Sequence, residues 1–400
     1  FTGFEVLTSL GDECFPRITG LGDLNNDGYD EFAVACKMYT RNLTAVAQYL
    51  GDIIVFVVYG GLGDKDISLE NIVDEGGDEY YLYTVELTPA GDVNGDSFDD
   101  FMVSLPFWNA SAGVVFVVYG KGDRGGSVLS LNLFGEDDGF RVQGAAAGDE
   151  CGHSVSAAGD LDNDGFDDVL VYARGINNET ANSQGGLFVV MGTSARCEDM
   201  TISAPEFGPG SVILYTALTG TYGHWCGEAI GVGDVNGDSF GDIMVVDCNY
   251  DITAGAVLST AHVLYGSAAG VSSVDLSAPL PVHRGYRIMG LGNEGSFTSA
   301  GDMNSDGFGD IALAIPGATN SAGVIHAGHI FVILGVEGVT RCDVSLADFN
   351  SSVGFLVEGA GEFDQIGESI SGGGDFNGDG ISDLLISTSN EDMGAFVLFG

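Results

Sequence analysis

One nine-residue pattern of oxygen-bearing side chains recurs six times in this chain of 400 residues. The copies follow one another at steps of 68 to 74 residues and begin at Asp23, Asp92, Asp160, Asp234, Asp302 and Asp375. Positions 1, 3, 5 and 9 of each copy carry Asp, Asn or Glu, and position 7 can offer its backbone carbonyl. Hard oxygen ligands on a flexible turn suit Ca²⁺, which accepts roughly six to eight of them. The pattern therefore predicts one structural calcium ion per copy, which gives six per chain.

The expected ligands occupy the same five positions in every copy, and those at position 7 act through the main chain. They are Asp23, Asn25, Asp27, Tyr29 and Glu31; Asp92, Asn94, Asp96, Phe98 and Asp100; Asp160, Asp162, Asp164, Phe166 and Asp168; Asp234, Asn236, Asp238, Phe240 and Asp242; Asp302, Asn304, Asp306, Phe308 and Asp310; and Asp375, Asn377, Asp379, Ile381 and Asp383. Position 12 is apolar throughout, so the bidentate Glu of an EF-hand is missing. The loops also hold no His or Cys to suit zinc.

The copies differ in ways that bear on how well each would hold its ion. Position 6 is Gly in four copies, as a sharply turned loop requires, but Ser97 and Ser239 stand there in the second and fourth. We expect those two loops to be more strained and to lose calcium first. The third copy is the most charged, because Asp162 replaces the Asn found at position 3 elsewhere.

The segments around each copy read as β-strands. A strand of small residues precedes the loop, an apolar strand follows it, and a third strand ends in glycine, namely Gly60, Gly120, Gly192, Gly266, Gly335 and Gly400. Strands that are apolar on both faces lie between two layers, and four antiparallel strands repeated radially form a β-propeller. The sequence therefore predicts an all-β propeller of six four-stranded blades, with seven blades as the alternative.

The predicted blades divide a single propeller that spans residues 1–400. Their approximate limits are 8–60, 61–120, 121–192, 193–266, 267–335 and 336–400. The last blade lacks an outer strand, whereas residues 1–7 read as an outer strand with no blade before it. We expect these two to pair and close the ring. The N-terminus shows no secretory-signal pattern, which indicates a mature or trimmed form.

The order of small strand, Gly-Asp-x-Asn-x-Asp-Gly loop, apolar strand and Val-Tyr-Gly resembles the FG-GAP repeat of integrin α-subunit propellers. The resemblance covers essentially the whole chain and implies a calcium-binding propeller. For function it implies adhesion or another kind of protein interaction, since similar repeats serve several roles. Integrin heads have seven blades and carry the calcium loop in only some of them, whereas here every predicted blade has one.

The charge balance excludes some partners. The chain has 58 acidic against 12 basic side chains, a formal net charge of −46. Such a surface repels phosphate backbones, so we expect no nucleic-acid partner. The hydrophobic content of 45% is too large for a disordered acidic chain. No apolar stretch is long enough to span a bilayer, so we expect no membrane insertion by this chain.

The cysteines suggest an oxidising compartment. Cys14 and Cys36 flank the first loop 22 residues apart, and Cys226 and Cys248 flank the fourth at the same separation. Both pairs fit a cross-strand disulfide, although buried free thiols are the alternative. A bond between Cys151 and Cys197 could close the third blade, which leaves Cys342 either free or linked to another chain.

Four N-glycosylation sequons begin at Asn42, Asn109, Asn178 and Asn350. The first three fall 17 to 19 residues after the first aspartate of their copy, in the connection between second and third strands. That connection lies at the strand ends opposite the calcium loops. A sequon that recurs at one exposed loop indicates a secreted or cell-surface glycoprotein.

No catalytic constellation is evident: the sequence has no nucleophile elbow, no His-Glu-x-x-His and no phosphate loop, so we expect no enzyme. The leading interpretation is an extracellular adhesion or interaction module that binds a protein or glycan opposite the calcium loops. The acidic pairs Asp12-Glu13, Asp78-Glu79 and Asp149-Glu150 fall on that face and would attract basic partners.

Two alternatives remain open. The first is a carbohydrate-binding or carbohydrate-active propeller, either a lectin or a lyase, for which Trp108 and Trp225 are the residues to examine. The second is a purely structural subunit of a filament, joined by Cys342 or by a swapped N-terminal strand.

Overall fold

A computed structural model describes residues 17–26, 28, 30–39, 51–58, 68–73, 86–122, 134–176, 185–194, 199–202, 211–215, 228–251, 256–271, 280–292, 295–339, 341–389 and 394–400. Their regular structure consists of strands β1 to β25, one turn at Trp108–Ser111 in which Asn109, Ala110 and Ser111 have left-handed backbone, and a 3-10 turn at Leu346–Asp348. No helix within these ranges is long and apolar enough to cross a membrane. The all-β prediction is confirmed.

The strands form six sheets, which we number as blades in chain order. The first three are blade 1, with β1 (Arg17–Gly22), β2 (Glu31–Tyr39), β3 (Gly51–Val58) and β4 (Ser68–Val73); blade 2, with β5 (Glu86–Gly91), β6 (Asp100–Leu105), β7 (Val114–Val118) and β8 (Gly139–Gly144); and blade 3, with β9 (Cys151–Gly159), β10 (Asp168–Ala173), β11 (Gly186–Val190) and β13 (Ser211–Tyr215). A further strand, β12 (Met200–Ile202), joins blade 2.

The second three sheets repeat the same order. They are blade 4, with β14 (Ala229–Gly233), β15 (Asp242–Asp251), β16 (Ala256–Leu264), β17 (Gly285–Met289) and an added β21 (Val344–Ser345); blade 5, with β18 (Ser296–Gly301), β19 (Asp310–Ile315), β20 (His329–Ile333) and β22 (Gly354–Glu358); and blade 6, with β23 (Ile370–Gly374), β24 (Asp383–Ser387) and β25 (Ala395–Leu398). Consecutive strands pair antiparallel, and each outer strand follows the closing glycine of its own sheet. Blades 1 to 5 each have four or more strands, and three are described in blade 6.

The chain divides into two compact units. One contains Phe1–Val155, Ala173–Ile176 and Gly192–Phe207, and the other Ser156–Tyr172, Asn177–Met191 and Gly208–Gly400. In the first unit the innermost strands β1 and β5 pack together, and in the second β14 packs against β18 and β18 against β23. Successive blades therefore meet through their inner strands within each unit, as in a β-propeller.

Apolar second and third strands fill the space between blades. Every residue of β6, β7, β10 and β11 is buried, as expected for strands that lie between two layers. Between blades 5 and 6, for example, Ala312 and Ile330 pack with Ile366 and Leu384. Burying an aliphatic side chain as large as Ile or Leu contributes about 1.5–3 kcal/mol, so these contacts between blades stabilise the unit.

Two blades carry a fifth, parallel strand that the sequence did not predict: β12 pairs with β8, and β21 pairs with β17. Each added strand is joined to the outer strand by a forked ion pair, in which an arginine of the outer strand donates to an aspartate beside the added strand. The Nη2 atom of Arg141 lies 2.7 Å from an oxygen of Asp199, and that of Arg287 lies 2.6 Å from one of Asp343. A returning segment of the chain thus covers the outer edge of blades 2 and 4.

Several predictions fall outside the described residues. They concern the closing strand at residues 1–7, the loop positions Asp27 and Tyr29, the residues Cys14, Cys197, Cys226 and Trp225, the acidic pairs at 12–13 and 78–79, and the sequons at Asn42 and Asn178. Closure of a six-bladed ring by the N-terminal strand therefore stays a prediction.

Candidate metal sites

The nine-residue loops join the first and second strands of each blade. The glycine before a loop pairs across the sheet with position 9, as Gly91 does with Asp100 and Gly233 with Asp242. A register shift lies just before this pair in both cases. The glycine and the position 9 residue are therefore fixed side by side, and the eight residues between them must turn sharply.

The position 1 carboxylate organises the turn by accepting amides from inside it. The Oδ1 atom of Asp92 accepts the N–H groups of Gly95 and Asp96 at 2.7 and 3.0 Å, and its Oδ2 accepts that of Ser97 at 2.8 Å. Asp234 and Asp375 accept the same three hydrogen bonds in their own loops.

Positions 3 and 5 turn inward in the same way. The Oδ1 atom of Asn94 accepts the Asp96 N–H at 2.9 Å, and Oδ1 of Asp96 accepts the Phe98 N–H at 3.0 Å. The side chains at positions 1, 3 and 5 therefore hold the turn together by accepting its own amides.

Two positions of each loop adopt left-handed backbone, and the sequence identified only one of them. Position 6 has positive φ as expected, including Ser97 at 70° and Ser239 at 72°. Position 4 is left-handed as well, at Asn26, Gly95, Asn163, Gly237, Ser305 and Gly378. The two loops with serine at position 6 have Gly at position 4, so every loop places glycine at one or both left-handed positions.

Position 9 is the buried anchor of the loop. In blade 2 the Oδ2 atom of Asp100 accepts the Val93 N–H at 3.0 Å, and Oδ1 accepts the Gly120 N–H at 2.7 Å. Asp242, Asp310 and Asp383 make the same pair of bonds. Burial raises the pKa of Asp100 and of Asp242 to about 8, and that of Asp310 to about 6. A cation in the loop would offset this cost of burying negative charge.

The closing glycine of the third strand is explained by this anchor. Its amide must reach the position 9 carboxylate, and there is no room for a side chain. A Cβ atom on Gly266 would contact the carbonyl oxygens of Gly241 and Leu161, and one on Gly335 would contact the Gly309 carbonyl. The closing glycine therefore belongs to the same structural unit as the loop, although it follows the position 9 residue by 17 to 25 residues.

Blade 3 brings three carboxylates together. One oxygen each from Asp160, Asp162 and Asp168 lie within 4.8 Å of one another. The Oδ1 atom of Asp162 is buried and has no hydrogen-bond partner among the described residues. Burial, followed by the charges of Asp164 and Asp160, raises the pKa of Asp162. A cation between these oxygens would relieve the repulsion and satisfy the orphaned acceptor, so the residues present fit Ca²⁺.

The loops also fasten neighbouring blades. The position 8 amide of one blade donates to the position 1 carbonyl of the blade before it, as Gly241 does to Asp160 at 2.7 Å and Gly309 to Asp234 at 2.8 Å. The residue after the closing glycine donates to the position 2 carbonyl, as Ser267 does to Leu161 at 3.1 Å. A metal that stiffens a loop would therefore also stiffen the contact between two blades.

In each blade the connection between second and third strands lies at the strand ends opposite the nine-residue loop, as does the connection from the outer strand to the next inner strand. We call these strand ends the opposite face. Trp108 and Asn109 lie there between β6 and β7 and are exposed. The sequon at Asn350 is exposed as well, but it lies before the outer strand of blade 5, and its Oδ1 atom accepts the Ser352 N–H at 3.0 Å. Asp149 is buried there and Glu150 is half-buried.

The cysteines give a mixed result. Cys36 and Cys248 lie in β2 and β15, but their predicted partners lie outside the described residues. Cys151 is a buried free thiol whose Sγ atom lies 3.5 Å from the Val142 carbonyl, which does not support the possible bond to Cys197. Cys342 is a free and exposed thiol, one of the two states expected for it.

Comparison with known proteins identifies similar chains. Residues 366–397 match the family model of the FG-GAP repeat. The phosphatidylinositol-glycan-specific phospholipase D of Dictyostelium discoideum is 21% identical over 331 residues, which cover 78% of this chain and 32% of that protein. Integrin alpha-PS2 of Drosophila melanogaster is 27% identical over 172 residues, 42% of this chain and 12% of that protein. Integrin alpha pat-2 of Caenorhabditis briggsae is 25% identical over 252 residues, 61% of this chain and 18% of that protein.

These matches confirm the resemblance to FG-GAP repeats and to integrin α-subunits. The chain spans about a third or less of the length of the curated relatives it matches.

Proposed function

We propose that this chain, which carries an FG-GAP repeat and resembles integrin α-subunits, is an extracellular protein-interaction module whose blades calcium holds together. One observation carries the proposal: the predicted metal ligands lie in the same turns that join one blade to the next. Because those turns are committed to the fold, the partner surface is assigned to the loops of the opposite face.

The ions are expected in all six loops, at the residues named from the sequence. In blade 3 the side chains of Asp160, Asp162 and Asp168 would hold the metal. Elsewhere an Asn oxygen takes the place of Asp162, so each of those loops offers one fewer charge. Calcium suits this set better than magnesium because Mg²⁺ demands a tighter octahedron and keeps more of its water.

Two features support an extracellular location. The sequons at Asn109 and Asn350 are exposed, where an attached glycan would meet no packing obstacle. The matched pairs Cys14–Cys36 and Cys226–Cys248 are proposed as disulfides. Peptide mapping without reduction should recover both pairs, and finding those four thiols free would remove the argument for an oxidising compartment.

We propose that the chain is not itself an enzyme, although one of its relatives is named as a phospholipase. Three described residues resemble a catalytic triad in type, namely Ser321, Glu358 and His329. Ser321 Oγ donates to Glu358 at 2.6 Å, and His329 Nε2 lies 3.2 Å from the same carboxylate. The carboxylate stands between the hydroxyl and the imidazole, so the histidine cannot take the proton of the serine.

A carbohydrate partner is the second candidate, because Trp108 is 36% exposed on the opposite face and sugars stack on such rings. A filament subunit is the third, since Cys342 is free and exposed. An intermolecular disulfide at Cys342 in native material would favour the filament.

The proposal is tested with the purified, calcium-loaded chain against a panel of extracellular matrix proteins and a glycan array. We expect calcium-dependent binding to a protein on the panel. Binding confined to glycans would favour the carbohydrate alternative. A folded, calcium-loaded chain that binds none of the panel proteins would contradict the proposed function.

A further inference from the structure

The outer strands of blades 2, 4 and 5 have the same sequence pattern and the same register in their sheets. They begin with Gly-Phe-Arg-Val in β8, Gly-Tyr-Arg-Ile in β17 and Gly-Phe-Leu-Val in β22. The third residue of each pairs with the residue four places before a closing glycine, namely Arg141 with Phe116, Arg287 with His262 and Leu356 with Phe331. Equivalent positions of the three strands can therefore be compared directly.

In blades 2 and 4 the edge beyond the outer strand is covered by the added parallel strand. The main chain of the outer strand faces this edge, because the Arg141 N–H donates to Asp199 at 3.0 Å and the Arg287 N–H donates to Asp343 at 2.9 Å. Both covering segments return from the next blade along the chain. They also share one pattern, which is Asp, apolar, Ser or Thr, apolar, at Asp199–Ile202 and Asp343–Leu346.

The equivalent edge of blade 5 has no added strand within the described residues, since β22 is the last strand of its sheet. Phe355 is 38% and Leu356 is 40% exposed, whereas Phe140 and Tyr286, the equivalents of Phe355, are each 3% exposed. The shared register directs the Leu356 N–H to this open edge. An edge with open main chain and apolar side chains is one that native proteins usually cover.

The change from arginine to Leu356 indicates what an occupant of this edge must look like. Leucine cannot form the ion pair of blades 2 and 4, so an aspartate beside it would lose water without gaining a partner. The first position of the pattern must then be apolar. The chain contains such a sequence at Val128–Leu131, which begins eight residues after Gly120, just as Asp343 follows Gly335 by eight.

We propose that the outer edge of blade 5, formed by Gly354–Glu358, binds an extended segment of a partner protein as a fifth, parallel strand. The segment has the pattern apolar, apolar, Ser or Thr, apolar. Main-chain hydrogen bonds give the affinity, and contact with Phe355 and Leu356 gives the specificity. The excess of 58 acidic over 12 basic side chains also disfavours an acidic first residue. This goes beyond the proposed function, because the edge is not part of the opposite face.

The probe is a fluorescein-labelled peptide with the sequence of residues 126–133, Gly-Ser-Val-Leu-Ser-Leu-Asn-Leu. A matched peptide has Asp in place of Val128. A third peptide is N-methylated at Leu129, the equivalent of Val344, which pairs with Ile288 in blade 4. This change removes an amide that strand pairing requires and keeps the side chains. Fluorescence anisotropy measures the binding of each peptide to the purified chain in saturating calcium.

Leu356→Arg restores the residue of blades 2 and 4 at a position that is already half exposed. Val282→Arg is the matched control, because it adds the same charge at a 50% exposed side chain that precedes the outer strand of blade 4. We expect the wild type and Val282→Arg to bind the valine peptide about fivefold more tightly than the aspartate peptide. Leu356→Arg should reverse this order, and the N-methylated peptide should not bind.

Three results would overturn the proposal: no binding of the valine peptide, an order of peptides that Leu356→Arg does not reverse, or equal binding of the N-methylated peptide. Sedimentation velocity tests a second copy of the chain as the occupant. A wild-type dimer that Leu356→Arg abolishes would assign the edge to self-association and would likewise overturn a foreign partner. The matrix-protein panel is read separately, so its failure would remove the proposed function and leave the strand addition standing.

Discussion

The nine-residue loops of blades 3 and 4 share a backbone path but differ at position 3. In blade 3, Asp162 has a buried oxygen with no donor within the described residues. In blade 4, Asn236 is buried, its Oδ1 atom accepts the Asp238 N–H at 2.9 Å, and its Nδ2 group finds no acceptor within the same part of the chain. One loop therefore has an orphaned acceptor and the other an orphaned donor.

This difference predicts that the two loops would bind a cation with different affinity. A cation satisfies an orphaned acceptor, so occupation of blade 3 would remove a defect of the empty loop. A cation cannot satisfy an N–H donor, so the defect at Asn236 persists whether or not the loop is occupied. Blade 4 also carries Ser239 at a left-handed position where blade 3 has Gly165. We therefore expect blade 3 to bind calcium more tightly than blade 4.

Removing all calcium should have the largest effect. A ligand that binds only the folded state stabilises it by about 2.7 kcal/mol per site at a hundred times its dissociation constant. Metal analysis after dialysis should return one calcium per loop, and a chelator should lower the melting temperature by many degrees. Calcium should restore it better than magnesium. Two or fewer ions per chain, or an unchanged melting temperature after calcium has left, would contradict the structural role.

Variants in a single loop test whether the blade 3 site binds calcium more tightly than the blade 4 site. Asp160→Ala removes the acceptor of the Asp164 and Gly165 amides, 3.1 and 2.9 Å away, together with one metal ligand. We expect a loss of about 3–5 kcal/mol in the free energy of unfolding and of one bound calcium. Asp164→Ala should act in the same direction.

Asp234→Ala is the matched change in blade 4, and its cost should be smaller if that site is weaker. Calcium titration followed by differential scanning calorimetry measures the calcium affinity and the thermal stability of each variant. A larger loss of stability from Asp234→Ala than from Asp160→Ala would reverse the proposed order of affinities.

The closing strands of the two blades differ in their response to acid. Blade 3 has Phe188 where blade 4 has His262, and both side chains are buried. Burial, and then the charge of Arg287 directly across the sheet, lowers the pKa of His262 to about 4, while Asp343 opposes the shift. The folded state therefore keeps this histidine neutral while the unfolded state takes up a proton below its ordinary pKa. Stability is complete above that pKa and falls as the pH drops towards 4.

His262→Phe should remove this sensitivity. Relative to the wild type it should gain about 2 kcal/mol between pH 7 and pH 5, by proton linkage from the two pKa values. Chemical denaturation of both proteins in saturating calcium measures the difference, which cancels the acid response of the shared carboxylates. Parallel pH profiles would show that His262 does not contribute.

The sequence predicted the repeated features and missed those that depend on a neighbouring blade. The loop ligands, the apolar second strand and the closing glycine could be read because each repeats in register. The bond from Gly241 to the Asp160 carbonyl could not, because it joins residues of two different repeats. The added strands β12 and β21 are too short for a periodic signal and depend on the Arg141 and Arg287 forks. The left-handed position 4 was hidden because Asn, Ser and Gly alternate there, and all three are ordinary turn residues.

The smallest expected effect concerns the residue at position 6. Ser239 has φ of 72°, so Ser239→Gly should relieve left-handed strain, partly offset by the greater freedom of glycine in the unfolded chain, for a net gain of about 0.5–1 kcal/mol. The reverse change in blade 3, Gly165→Ser, should cost a similar amount, because a Cβ atom at Gly165 meets nothing within 4 Å and only the backbone conformation is penalised. Thermal unfolding in saturating calcium compares the two variants. If Ser239→Gly destabilises the protein while Gly165→Ser is neutral, backbone strain is not what distinguishes these loops, and the expected order of calcium release must rest on Asp162 and Asn236 alone.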